Sequence, residues 1–256
     1  MGIILRHGIL GQGYLFSPEA GLVSYYKLDG SGEDYIGSLD MTSETNIDWT
    51  YAGIDVSCAT YNKSMTSGLK TDAGDQIMLD SDDSFSYSLW FKRDSSTEWP
   101  DPFTPPNSIP LIHNGNTSAA EEAFWIRVEG AVGQNLAVCL SHDFAQSPKQ
   151  TLKVFAGQIP QDTAWHHLVV TYNGTQASTG LHIYLDNTEK SFSVSTDNIT
   201  GLSIIGENGF LGIGYQYSGG RWWGKIDEVS IWNKVLSKEE VETLWNSGNG
   251  SFLFPG

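Results

Sequence analysis

The chain is short of cysteine, of charge, of basic residues and of long apolar runs, and each shortage excludes something. Two cysteines in 256 residues, Cys58 and Cys139, cannot build the framework of a small disulfide-stapled domain. Nothing in their spacing marks a pair, and their apolar or small neighbours suit buried thiols. Charged residues make up 17% of the chain, and 14 Lys and Arg stand against 30 Asp and Glu, for a net charge of −16. Without a basic stripe nothing neutralises a phosphate backbone, so nucleic acid is excluded as a partner. The acidity suits solubility, or bound cations that the formal count omits. No run approaches the roughly 18 apolar residues of a membrane span, so no membrane insertion is expected. Residues 1–16 hold Arg6 but no continuous apolar stretch and no small-residue cleavage site, so no secretory signal is read there. Nucleophile elbows, His-Glu-x-x-His helices and phosphate-cradling loops are missing too. Gly212 and Gly214 sit in a strand context with no helix after them, which is not a nucleotide fingerprint.

What is present is β-structure. Hydrophobic residues at 39% and aromatics at 12% supply a core, and 28 glycines suit many turns. Short alternating runs separated by turn residues predict strands near 22–28, 76–79, 84–92, 111–113, 123–129, 136–141, 151–155, 166–173, 181–185, 190–195, 209–215 and 225–232. In 84–92 the alternation puts Phe85, Tyr87, Leu89 and Phe91 on one face, with the serines and Trp90 on the other. The Pro-rich stretch 98–110 reads as a long loop. One helix is signalled: Ser237 and Glu240 form a capping box, Val241, Leu244 and Trp245 share a face, and Gly248 is the stop. Residues 1–21 differ from the rest, being apolar and Gly-spaced. An arm docking on a partner through Ile3, Ile4, Leu5 and Leu10, a leading strand, and a disordered tail all fit this segment.

Several strands resemble one known family. Trp165-His166-His167-Leu168-Val169-Val170-Thr171-Tyr172-Asn173-Gly174 resembles the WHHLVVTYDG strand of laminin-G-like, concanavalin A-like jelly rolls. Leu181 to Asp186 is similar to the strand that follows it. Residues 224–241, opening Gly-Lys-Ile-Asp-Glu-Val, resemble the closing strand and helix, while 22–30 and 85–92 resemble earlier strands. The motifs occur in the family's order over 22–248. The resemblance implies an all-β, two-sheet antiparallel jelly-roll sandwich with one short C-terminal helix, over residues 22–256. It also implies that the first and last strands lie near one another, bringing Asp29 and Asp227 to one side, where such domains often hold calcium. Asp34 is a further candidate ligand, since Ca²⁺ takes oxygen donors. The plainer alternative is that Asp29 makes an Asx-turn before Gly30 and Asp227 caps a strand turn.

The same sandwich hosts glucanases, which carry two glutamates around an aspartate alternating along one strand. In 225–229 simple alternation puts Lys225 and Val229 beside Asp227, so the paired glutamates are missing. Glu121 and Glu122 are adjacent and diverge if on a strand; Asp80, Asp82 and Asp83 sit in a turn-like run without a Glu. A glycoside hydrolase is therefore disfavoured and no enzyme is expected. His166 and His167, adjacent on a strand, cannot share one ion; one is expected in the core and the other outside. Aromatics in loops remain for a ligand: Tyr215, Tyr217, Arg221, Trp222 and Trp223 before the closing strand, and Trp99 among prolines. Alternatively Trp222 or Trp223 seals the sandwich edge or meets a second subunit.

The expected function is surface binding or decoration by a lectin-like domain engaging a glycan, at an extracellular or virion surface. Domains of this kind work outside cells, and a chain starting at Met1 without an export signal suits a phage capsid, tail or fibre component released by lysis. Residues 1–21 would then dock onto other virion proteins or a second copy of the chain. A carbohydrate-binding module of a secreted or cell-surface bacterial protein fits the same residues.

Overall fold

The computed structural model describes residues 20–62, 67–94, 108–115, 123–130, 134–143, 150–199, 209–215 and 221–251. Ile3, Ile4, Leu5, Leu10, Trp99 and Tyr217, and with them the arm and two of the loop aromatics, lie outside the described residues. The strands run β1 (Leu22–Tyr26), β2 (Ser43–Thr45), β3 (Ile47–Asp48), β4 (Ala59–Tyr61), β5 (Gly68–Lys70), β6 (Ser84–Arg93), β7 (Ser108–Gly115) and β8 (Ala123–Glu129). They continue β9 (Asn135–Asp143), β10 (Gln150–Gln158), β11 (Trp165–Asn173), β12 (Leu181–Leu185), β13 (Thr188–Glu189), β14 (Ser193–Asp197), β15 (Phe210–Ile213) and β16 (Gly224–Trp232). Helix α1 (Lys238–Trp245) follows the last strand.

Two eight-stranded sheets result. The first has the order β13-β12-β11-β6-β16-β4-β3, with β1 also on β16; the second has the order β14-β10-β9-β8-β7-β15-β5-β2. All pairings are antiparallel, which makes the jelly-roll sandwich that the family resemblance implies. Between the sheets pack Phe85, Tyr87, Leu89 and Phe91 from β6, Leu168, Val170 and Tyr172 from β11, and Phe124, Ile126, Val138, Leu140, Leu152 and Val154 from the facing sheet. The alternating partners point outward. On the first sheet that outward face is not left to water: Leu22, Tyr25, Val169, Tyr184 and Trp232 are covered by Leu236 and by Val241 and Leu244 of α1. The helix keeps its predicted cap, Ser237 accepting from the Glu240 amide while the Glu240 carboxylate accepts from the Ser237 amide at 2.9 Å.

Four local expectations change. Residues 76–79 form no strand; the side-chain amide of Asn114 takes the place of a neighbouring strand, accepting from the Ile77 amide at 3.0 Å and donating to its carbonyl at 2.9 Å. β7 begins at Ser108, inside the stretch read as a loop, and accommodates Pro110 because the register with β8 shifts between Pro110 and Ile112. Strands of two or three residues, β2, β3, β4, β5 and β13, escape a periodicity reading altogether. The helix stops at Asn246, itself left-handed at φ 45°, before Gly248 is reached. Cys58 and Cys139 are both buried, Cys58 just ahead of β4 in the first sheet and Cys139 on β9 in the second.

Candidate functional sites

The first site grows from an irregularity in β16. Asp227 pairs with Trp90 of β6, yet the next paired residue is Ser230, opposite Ser88. Glu228 at φ 51° is the extra residue of a β-bulge. Ile226, Val229 and Ile231 stay in the core, while Asp227 and Glu228 both leave on the outer side. The expectation that Val229 stands beside Asp227 is overturned for this reason. The Ile54 amide donates to Asp227 Oδ2 at 2.6 Å, and the Tyr25 hydroxyl donates to Glu228 Oε2. Their second oxygens, Asp227 Oδ1 and Glu228 Oε1, are buried without a hydrogen-bond partner. Burial pushes the Asp227 carboxyl well above the usual range, with Glu228 and Asp29 adding to it. Burial, then Asp29 and Asp55, push Glu228 up to about 8 against the pull of the Tyr25 hydroxyl.

Carboxylate oxygens of Asp29, Asp55 and Glu228 lie within 4.8 Å of one another. That spacing and an all-oxygen donor set fit a hard cation such as Ca²⁺, whose ligands stand ~2.4 Å from the ion. The buried unpartnered oxygens beside the cluster fit the same group. Of the residues expected here, Asp29 belongs to the cluster and Asp227 lies beside it, near enough for Asp29 to raise its pKa. Asp34 does not join them: its two oxygens accept from the backbone amides of Tyr25, Ile36, Gly37 and Leu39 and are used up in holding that turn. The carboxylates gathered with Asp29 are those of Asp55 and Glu228. An alternation rule hides Glu228, and Asp55 lies in a loop where sequence carries no register.

Beneath α1 the same outer face holds a cavity of about 10 Å³, room for a water, lined by Tyr25, Ser88, Trp90, His167, Glu228 and Ser230 among others. His167 meets Ser88 Oγ at 2.8 Å and stacks on Trp90 at 4.9 Å. Burial pushes its imidazole down to about 3, so it is neutral. His166 points the other way, between Asp162 at 2.9 Å and Asp186 at 2.7 Å, and the two histidines share no ion.

The loop aromatics divide. Trp222 is 0% exposed and packs edge-on against Phe91 at 5.7 Å; it belongs to the core, which corrects its reading as a ligand residue. Trp223 is half-buried against the same core. Tyr215 and Arg221 bridge each other on the rim of the second sheet, with the guanidinium 4.0 Å above the ring.

The second site is the outer face of that second sheet, which strand periodicity alone does not reveal. Direct cross-strand register makes one transverse row of Lys70, Gly212, His113, Trp125, Cys139 and Lys153. Arg127 lies 3.5 Å over the Trp125 ring, and the Lys153 ammonium is 5.3 Å from Trp125 and 4.9 Å from Phe155. Glu129 binds both cations, at 2.5 Å to Arg127 and 2.8 Å to Lys153. Beside Phe155 opens a groove of about 520 Å³ lined by Asn135, Phe155, Gly157, Ser191, Phe192 and Ser193. Gly157, Ser191 and Ser193 are exposed, and a Cβ at Gly157 would meet nothing within 4 Å, so the groove is open to solvent. Two aromatic rings, an amide and two hydroxyls are the chemistry a sugar needs, rings for its apolar face and polar groups for its hydroxyls. A second groove of about 480 Å³ is lined by Val23, Leu39, Ile77, Met78, Leu79, Ile231 and the buried Trp232 together with Gln76, Asp83, Ser84 and Asn233, and presents no exposed ring.

Residues 63–242 match the family model described as the concanavalin A-like lectin/glucanases superfamily. Among solved structures, domain 4 of AbnA, a GH43 extracellular arabinanase from Geobacillus stearothermophilus, in complex with arabinotriose, aligns at TM-score 0.59 and 19% identity over 91% of this chain and 100% of that one. The binding domain of Paraclostridial Mosquitocidal Protein 1 aligns at 0.61 and 15% identity, covering 89% of this chain and 52% of that chain. The botulinum neurotoxin serotype G binding domain aligns at 0.62 and 14% identity, over 88% and 50%. These likenesses establish the fold, and the chain spans about half of each toxin structure. No curated protein matches its sequence significantly.

Proposed function

This chain belongs to the concanavalin A-like lectin/glucanases superfamily, and from that premise we propose that it is a non-catalytic saccharide-binding domain. The observation that carries the reading is the open groove on the second sheet, where Phe155 and Phe192 offer rings and Asn135, Ser191 and Ser193 offer hydrogen bonds. The arabinotriose complex of the AbnA domain supports it, since a similar sandwich there holds an oligosaccharide. A hydrolytic role is unsupported: among the described residues no carboxylate lines the groove, and Glu228 borders a cavity of about 10 Å³, too small for a sugar ring. Asp29, Asp55 and Glu228, with Asp227 behind them, would hold a calcium ion. A cation there supplies positive charge that ties the loop carrying Asp55 to β16. The role of such a site is to support the rim, since the groove lies on the other sheet. The setting is an extracellular or virion surface. The finer virion role rests on residues 1–21 as a dock, and its test is whether the chain is recovered in assembled particles.

Titrating the chain with a panel of oligosaccharides, followed by calorimetry, tests the binding role. Phe155→Ala should weaken binding about tenfold, the worth of one stacked ring at ~1.4 kcal/mol. Binding that persists undiminished in both Phe155→Ala and Asn135→Ala would remove the groove from the account.

A further inference from the structure

We propose that the saccharide taken by this groove is acidic, with a carboxylate or sulfate lying against the Lys153 ammonium; the inference rests on the saccharide-binding reading above. The chain carries 30 acidic against 14 basic residues, so a cationic face is not what its average surface supplies. The outer face of the second sheet nonetheless gathers Lys70, Arg127, Lys153 and, at its rim, Arg221. Among the described residues, Glu129 is the only carboxylate paired with Lys70, Arg127 or Lys153. One carboxylate shared between Arg127 and Lys153 leaves a unit of positive charge at the edge of the groove.

Geometry directs that charge. Lys153 and Phe155 stand two residues apart on β10 and face the same way, the ammonium 4.9 Å from the centre of the ring that walls the groove. The ammonium sits over part of the Phe155 ring, so a sugar laid against the rest of that ring carries its ring substituents past Lys153. An ammonium has three N–H donors, and the two oxygens of Glu129 engage at most two of them, at 2.8 and 3.2 Å. The third is available to an incoming anion, whose bond is charge-assisted. The groove's own lining is uncharged, so Asn135 and the serines serve hydroxyls and the acid group has one destination. With 17% of its side chain exposed, Lys153 is reachable from solvent yet screened less than a free surface lysine.

The test is calorimetric titration of the whole chain with three oligosaccharides of equal length: oligogalacturonate, its fully methyl-esterified neutral form, and a sulfated galactan. The expected result is acid binding about tenfold tighter than ester, an advantage that collapses at high salt and in Lys153→Gln but survives in Lys153→Arg. Lys153→Gln should weaken acid binding about tenfold more than ester binding, which separates lost charge from lost structure. The carboxylated and sulfated arms tell which anion the site prefers. Equal affinity for acid and ester, or a preference untouched by Lys153→Gln, overturns the inference while leaving saccharide binding standing. If none of the three sugars binds and a broader neutral panel also fails, the saccharide reading itself falls and takes this one with it.

Discussion

His167 makes the fold sensitive to acid in a way that can be isolated. Its imidazole is 1% exposed, its Nε2 is 2.8 Å from Ser88 Oγ, and its ring stacks on Trp90. Burial lowers its folded-state pKa from 6.5 to about 3. The unfolded chain therefore binds a proton at this residue between those values and the folded chain does not. Stability from His167 is fully present above about pH 6.5 and is lost as pH falls toward 3. Integrated from about pH 7 to about pH 5, the loss is about 2 kcal/mol. Denaturant unfolding at the two pH values measures it, and His167→Gln supplies the control, since glutamine does not titrate. His166 sits between Asp162 and Asp186 with a raised pKa and changes with pH in the opposite sense, but it is common to both proteins and cancels in the difference. Wild type should lose about 2 kcal/mol more than the variant over this interval. Equal losses would mean that His167 is protonated in the folded state, and the account of the polar layer beneath α1 would be wrong.

Two further outcomes follow from the packing and the acidic cluster. Calcium should raise the unfolding temperature relative to chelator, because it binds the folded cluster alone, and Asp55→Asn together with Glu228→Gln should abolish the shift; identical melting with and without the ion would refute the site. Trp222→Ala should cost about 3–5 kcal/mol by emptying a fully buried volume against Phe91, read by denaturant midpoint, while the saccharide affinity of the folded fraction stays at the wild-type value.

The sandwich was legible because its strands obey a period of two. Phe85, Tyr87, Leu89 and Phe91 announce an inward face by their spacing alone, and the Ser237–Glu240 cap announces the helix. The same rule misled at Glu228, where the bulge inserts a residue, and sequence has no marker for a non-glycine bulge of this kind. Trp222 misled for a different reason. A tryptophan beside glycines looks like a loop residue, yet the amide of Trp222 donates to the Gly214 carbonyl at 3.0 Å, which turns its ring inward. The groove was invisible because its walls come from β9, β10 and residues 191–193, and only the pairing of distant strands brings Asn135, Phe155 and Phe192 together.

A ligand on the second sheet, as proposed, is consistent with what happens on the first. A sandwich has two outer faces, and a binding surface needs one that the fold itself does not cover. On the first sheet, α1 and Leu236 close over Tyr25, Val169 and Trp232, and the polar residues left beneath them, Ser88, His167 and Glu228, enclose space for no more than a water. That face is taken up by packing. On the second sheet no helix intervenes among the described residues. There Trp125 and Cys139 are themselves buried, and the partly exposed positions are Arg127, Lys153 and Phe155, two cations and a ring in a chain already at −16. The groove that opens beside Phe155 is continuous with this row. A saccharide contacted there would meet rings first and the Lys153 charge second, so truncating Phe155 should weaken acidic and neutral sugars alike, whereas removing the Lys153 charge should weaken the acidic ones far more than the neutral.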